Sequence, residues 1–196
     1  MIIANILGIF VFLFVLWHRL RQDYHFEKTF TLAFYTLTGV LISYLVAKQF
    51  FPEFWFWVES LGVLVGFSIG VIRQKMRVYE SFEGVLIGLL IWLSLTFMAD
   101  SVVNASLASF LAFWITVFSV FLFFFLDAHY RRFSWYKSGR VGFSGLAVTG
   151  IFFLTRSVVA LLNIAVISLV GSLEGILSGS LSFISFLLLF NLSRKK

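Results

Sequence analysis

Long apolar runs recur along this chain, each closed by a short cluster of charges, and that alternation limits the fold more than any other feature of the sequence. The hydrocarbon core of a bilayer is roughly 30 Å thick and an α-helix rises about 1.5 Å per residue, so about 20 apolar residues make one span. Taking charges as boundaries gives seven spans, at about 1 to 17, 29 to 47, 54 to 72, 84 to 99, 107 to 126, 141 to 155 and 173 to 191. Composition agrees: 61% of the 196 residues are apolar types, 27 are Phe and 12% are charged. A soluble enzyme, a secreted disulfide scaffold and a disordered tail are all excluded. The expected fold class is all-α: a polytopic integral membrane protein of about seven transmembrane helices, forming one domain over 1 to 196. The stretch 157 to 171 is also apolar; it extends the sixth helix, turns back, or adds an eighth segment along the interface. The first span is expected to stay as a helix, since no basic residue precedes it and no small-x-small cleavage site follows. With no cysteine, thiol chemistry is ruled out.

Cations orient such a protein, because short cytoplasmic loops carry the excess of Lys and Arg. One set of alternate loops holds Arg19, Arg21, Lys28, Arg73, Lys75, Arg77, Arg131, Arg132, Lys137, Arg140, Arg194, Lys195 and Lys196; the other holds only Lys48 and Arg156. The N-terminus is therefore expected outside and the C-terminus in the cytoplasm. Trp17, Trp55, Trp57, Trp135 and Tyr136 fall near span ends, as an aromatic belt would. The net charge of +6 is then a topology signal, and no basic face is continuous enough for nucleic acid. The run from Tyr130 to Val141 mixes four cations with aromatics and suits anionic headgroups.

Lipid tails solvate Leu and Phe as well as a neighbouring helix does, so association must come from close backbone approach and polar contacts. Gly62, Gly66 and Gly70 form a small-xxx-small stripe, Gly84 and Gly88 repeat the spacing, and Gly171, Gly175 and Gly179 repeat it again. These glycines are expected at helix seams. The Phe121 to Phe125 run shows no one-sided pattern and is expected to face lipid.

Ionisable groups within or bordering a span are costly and are functional candidates by default. Glu59, Asp100, Arg156 and Glu174 all fall near the outer ends of their helices. The planar fork of Arg156 could hold a phosphate or carboxylate bidentately, or pair with Glu59, Asp100 or Glu174 for structure. His18, His25 and His129 sit at loop edges with no metal-site spacing, and no phosphate loop or nucleophile elbow occurs, so neither metal nor cofactor is expected. Ser60, Ser101 and Ser106 have no histidine on their side of the membrane to activate them.

The order of these features resembles that of the prolipoprotein diacylglyceryl transferases, seven-helix bacterial enzymes that move a diacylglyceryl group from phosphatidylglycerol to a lipoprotein cysteine. The similarity runs over most of the chain: the basic loop R-L-R-Q-D-Y-H-F-E-K at 19 to 28, the glycines of S-L-G-V-L-V-G at 60 to 66, and S-G-R-V-G-F-S-G-L-A-V-T-G-I-F-F-L-T-R at 138 to 156, which ends where the family has a required arginine. Arg156 matches it. Elsewhere the chain departs: Tyr44 stands at the family's second-span arginine, Ser60 at its histidine, only Asn104 remains of its Gly-Arg-x-x-Asn signature, and its extracellular head is missing. The resemblance implies a bacterial inner-membrane protein of lipoprotein biosynthesis, divergent or inactive, with Arg156 on a phospholipid phosphate; with the span-end residues read above, its possible polar partners are Glu59, Asp100, Asn104 and Glu174. It implies phosphatidylglycerol as ligand, lipoprotein precursors as further partners, and no cofactor. The alternatives are a non-catalytic membrane scaffold or a small transporter. Against the transporter, no Gly/Pro-broken pair of spans occurs, and the sole proline, Pro52, sits in a loop.

Overall fold

The computed structural model describes residues 2–133, 136, 141–162, 168–169 and 171–194. Seven helices dominate: α1 (Ile2–Leu20), α2 (Phe26–Phe50), α3 (Trp55–Gln74), α4 (Val78–Val103), α5 (Leu107–His129), α6 (Phe143–Leu161) and α7 (Gly171–Arg194). Short 3₁₀ turns at Pro52–Phe54 and Tyr130–Arg132 lead into α3 and out of α5, and no strand occurs among the described residues. All seven helices are long and apolar enough to cross a membrane, so this is an all-α, multi-pass membrane architecture.

The helices overrun the apolar windows read from sequence. α4 begins at Val78 rather than 84, α5 runs to His129 rather than 126, and α6 to Leu161 rather than 155. A charge ends a lipid-exposed span but not a helix. Where Arg19, Glu83, Asp127 and Arg156 find partners inside the bundle, the backbone ladder simply continues. Of the stretch 157 to 171, residues to Leu161 extend the sixth helix and Gly171 opens α7, while 163–167 and 170 lie outside the described residues. So do Trp135, Lys137, Arg140, Lys195 and Lys196.

Local chemistry sets the turns. α3 ends with Lys75 in the left-handed region (φ 51°), whose N–H reaches the Ile72 carbonyl at 3.3 Å while Met76 N–H reaches Val71 at 3.1 Å, a Schellman arrangement with a cation at the negative helix end. Between α4 and α5, Ala105 takes φ 48° and Ser106 caps α5 by accepting the Ser109 N–H at 3.2 Å. Gly142, at φ 79°, precedes α6 where only glycine is unstrained.

α4 is the central helix. It packs antiparallel to α1 and against α5 and α6, while α2–α3 and α6–α7 form hairpins on either side. Its Val85 joins one apolar core with Phe12, Leu16 and Phe67; its Ile87 and Leu90 join another with Phe123, Leu146 and Phe152. Gly84 and Gly88 admit Leu16 and Phe12 of α1, and a Cβ on Gly88 would lie 2.8 Å from the Phe12 ring. In the α2–α3 seam, a Cβ on Gly66 would collide with the Tyr35 carbonyl and one on Gly70 would sit 2.8 Å from Leu32 Cδ1. Gly175 and Gly179 face Leu161 and Ser157 of α6. The expected glycine seams are thus occupied by helices at these positions, while the surroundings of Gly171 lie outside what is described.

The phenylalanine run differs from its expectation. Phe121, Phe124 and Phe125 are exposed, but Phe123 is fully buried. It packs in the apolar core with Ile87 and Leu90 and lies beneath the Arg19 guanidinium, 5.5 Å from the ring centroid.

Alternation of the helices puts Arg19, Arg21, Lys28, Arg73, Lys75, Arg77, Arg131 and Arg132 at one end of the bundle, here called the basic end. Glu59, Asp100, Arg156 and Glu174 lie toward the opposite end.

Candidate functional site

Arg156 lies in the second half of α6 and is 7% exposed. Its Nε and Nη2 approach Glu174 Oε1 at 3.0 and 2.8 Å. Nη1 donates to Ser168 Oγ and Nη2 to the Ser168 carbonyl, both at 2.8 Å. The Phe56 ring of α3 stacks on the guanidinium, with its centroid 3.7 Å from Cζ. Glu174, fully buried in the first turn of α7, accepts further bonds from Trp57 Nε1 at 2.9 Å and from Ser178 Oγ. A carboxylate there also complements the positive end of the α7 dipole. Three helices and the Ser168 segment therefore converge on one ion pair. Removing one partner of such a buried pair costs about 3 to 5 kcal/mol, because a bare charge is left behind.

Of the five N–H groups of Arg156, one on Nη1 has no acceptor among the described residues. Beside it lies a cavity of about 90 Å³ between α4, α5 and α6, bordered by Phe97, Ala108, Ala112 and Thr116 on one side and by Arg156 and Ser168 on the other.

The remaining residues singled out from sequence divide into two further places. Asp100 is buried and accepts from Asn104 Nδ2 at 2.7 Å and from Ser109 Oγ, which ties the end of α4 to the first turn of α5. Glu59 is half-buried and has no hydrogen bond or ion pair among the described residues. Arg156 and Glu174 thus meet, Asp100 and Asn104 meet separately, and Glu59 stands apart. Tyr44 is exposed on α2. Among the described residues, no group of three His, Cys, Asp or Glu side chains could hold a metal ion.

Sequence reasoning missed a second charged cluster, at the basic end. Arg19 donates through Nη1 and Nη2 to both oxygens of Asp127, each at 2.9 Å, and through Nη2 to Glu83 Oε2 at 2.9 Å. Glu83 Oε1 accepts from Ser144 Oγ at 3.1 Å and from the Gly145 N–H at 3.3 Å, in the first turn of α6. Helices α1, α4, α5 and α6 are joined through these contacts. Each charge had served as a span boundary; the available signal was that all three flank apolar runs at the same end. Nearby, the Tyr24 hydroxyl donates to Glu80 at 2.8 Å and accepts the Arg77 N–H at 3.0 Å. Burial pushes the Tyr24 phenol above its ordinary pKa, and the bond to Glu80 adds to that.

The chain matches no protein-family model, no curated protein and no solved structure.

Proposed function

We propose that this protein binds an anionic phospholipid, phosphatidylglycerol, in a bacterial inner membrane, as a headless and divergent relative of the prolipoprotein diacylglyceryl transferases in which transfer chemistry is lost. One observation carries the reading: a nine-tenths-buried arginine, one of whose Nη1 N–H groups has no acceptor among the described residues, borders an apolar cavity in the membrane-crossing part of the bundle. Charge inside a membrane is expensive and marks function by default. The remaining Nη1 N–H can give a phosphate oxygen one charge-assisted hydrogen bond. Loss of transfer is argued from Ser60 and Tyr44, which stand where the resembled enzymes carry a histidine and an arginine. The basic end is assigned to the cytoplasm, and lipoprotein precursors are partners only if transfer persists.

A scaffold is the second reading, and the closed geometry of Arg156 with Glu174, Ser168 and Trp57 favours it. Arg156→Lys and Arg156→Ala separate the two, with phosphatidylglycerol binding and melting temperature measured on each. Lipid binding predicts a loss of about ten- to a hundredfold in affinity for both variants in the folded fraction, the worth of a charge-assisted hydrogen bond. Unimpaired binding by folded Arg156→Ala protein would sink the lipid reading. Incubation with labelled phosphatidylglycerol and a lipobox peptide tests for residual transfer, with no modified peptide expected.

A further inference from the structure

We propose that Glu174 selects the ligands of the Arg156 site by charge: it holds the site electrically neutral, so that a singly charged phosphodiester is admitted and a doubly charged phosphate monoester is refused. This rests on the phospholipid reading for the ligand and adds the residue that sets which headgroup is taken.

An incoming anion cannot push Glu174 aside. The residue is fully buried and both of its oxygens are engaged: Oε1 accepts from Arg156 Nε and Nη2 at 3.0 and 2.8 Å and from Ser178 Oγ, and Oε2 accepts from Trp57 Nε1 at 2.9 Å. A displaced carboxylate would lose all of these donors at once, in a part of the bundle shut off from water. A phosphate must therefore share the guanidinium with Glu174, and the group it meets is the Nη1 N–H that has no acceptor among the described residues. Arg156 is the only charged residue on the described lining of the adjoining cavity, and Glu174 is its only carboxylate partner among the described residues. One positive and one negative charge cancel before any ligand arrives. A monoanion then leaves one net negative charge in the buried site and a dianion leaves two, and the cost of burying unpaired charge climbs faster than the charge itself. Coulomb repulsion from Glu174 is proportional to ligand charge, so a dianion feels about twice the repulsion of a monoanion and a neutral lipid none.

That proportion supplies the test. The full chain in a neutral detergent is titrated with diacylglycerol, phosphatidylglycerol and phosphatidic acid of equal acyl chains at about pH 8, where they carry about zero, one and two negative charges, since a phosphate monoester gives up its second proton near about pH 6. Wild-type protein should bind phosphatidylglycerol more tightly than phosphatidic acid. Glu174→Gln keeps the shape and drops the charge; phosphatidylglycerol should gain about tenfold in affinity, phosphatidic acid about a hundredfold and diacylglycerol nothing. A carboxylate with a structural role alone would move all three lipids alike, and that result overturns the proposal. Glu174→Asp, which keeps the charge, should preserve the wild-type order; an order like that of Glu174→Gln overturns it too. If Glu174→Gln does not fold, the wild-type series decides, and Arg156-dependent binding that is tighter for phosphatidic acid than for phosphatidylglycerol overturns the proposal. Equal binding of phosphatidylglycerol by wild-type and folded Arg156→Ala protein removes the phospholipid reading, whereas Arg156-dependent binding with an unaltered charge series removes only the role of Glu174. Glycerol phosphate, which has no acyl chains, separates a lipid headgroup from a soluble anion: if Glu174→Gln protein binds it as tightly as phosphatidic acid, charge selection by Glu174 holds and the lipid falls.

Discussion

The two charged clusters of this bundle use the same side-chain types for different ends. At the basic end one arginine faces two carboxylates, and every carboxylate oxygen accepts a donor: Asp127 from Arg19, and Glu83 from Arg19, Ser144 and the Gly145 amide of α6. At the opposite end one arginine faces one carboxylate, and an Nη1 N–H beside a void has no acceptor among the described residues. The Arg19 side chain is 20% exposed and that of Arg156 is 7% exposed, so the first has some access to water and the second almost none. Both arginines leave N–H groups without an acceptor among the described residues, but the contacts of Arg19 reach α1, α4, α5 and α6 and act as a staple among them. What sets Arg156 apart is that its leftover N–H lies beside a cavity and is shut away from water. Charge in the membrane is thus a weak guide to function until its donors and acceptors are counted.

The largest effect should come from breaking the drier pair. Glu174→Leu strands Arg156 and should lower stability by about 3 to 5 kcal/mol, read as a fall in the unfolding midpoint in detergent. Combining it with Arg156→Leu should recover most of the loss, since no bare charge remains; a double variant as unstable as the single one would mean the pair is not what holds α6 to α7. Next in size, Arg19→Lys keeps the charge but cannot serve Asp127 through two nitrogens and Glu83 as well. A loss of about 1.5 to 3 kcal/mol is expected, and full stability would show that the fork geometry there is idle.

Two glycines sharpen the contrast at smaller scale. A Cβ on Gly145 would lie 2.7 Å from Glu83 Cγ, whereas one on Gly175, next to Glu174, would meet Leu161 only at 3.7 Å. Gly145→Ala should therefore cost about 1 kcal/mol, the low end of overpacking, because the neighbour is a side chain that can shift. Gly175→Ala should be neutral or stabilising by about 0.5 to 1 kcal/mol, since alanine favours the helix and the space exists. Equal melting of the two variants would erase the distinction between a tight cluster and a loose one.

Much of the architecture was legible because lipid imposes it. Spans had to be about 20 residues long and apolar, and glycines at four-residue spacing had to meet backbones, as Gly66 meets Tyr35. Arg156 and Glu174 were legible as costly residues, yet Ser168 carried no signal and Trp57 was read as part of an aromatic belt, since a tryptophan near a span end looks the same whether its N–H meets headgroups or Glu174. Phe123 was misread for a related reason. Its neighbours face lipid, and nothing in five consecutive apolar residues distinguishes the one that lies beneath a guanidinium.

The sequence by itself determined the all-helical membrane class, the seven long apolar helices found among the described residues and the seams that small residues permit, because hydropathy and side-chain size act along the chain or within one helix turn. Only the tertiary structure decided which charges meet. Arg19 and Asp127 are 108 residues apart, Arg156 and Ser168 stand on different segments, and the cavity beside them belongs to no single helix. Pairing and voids are properties of how surfaces fit, and no local pattern records that fit before the helices are packed.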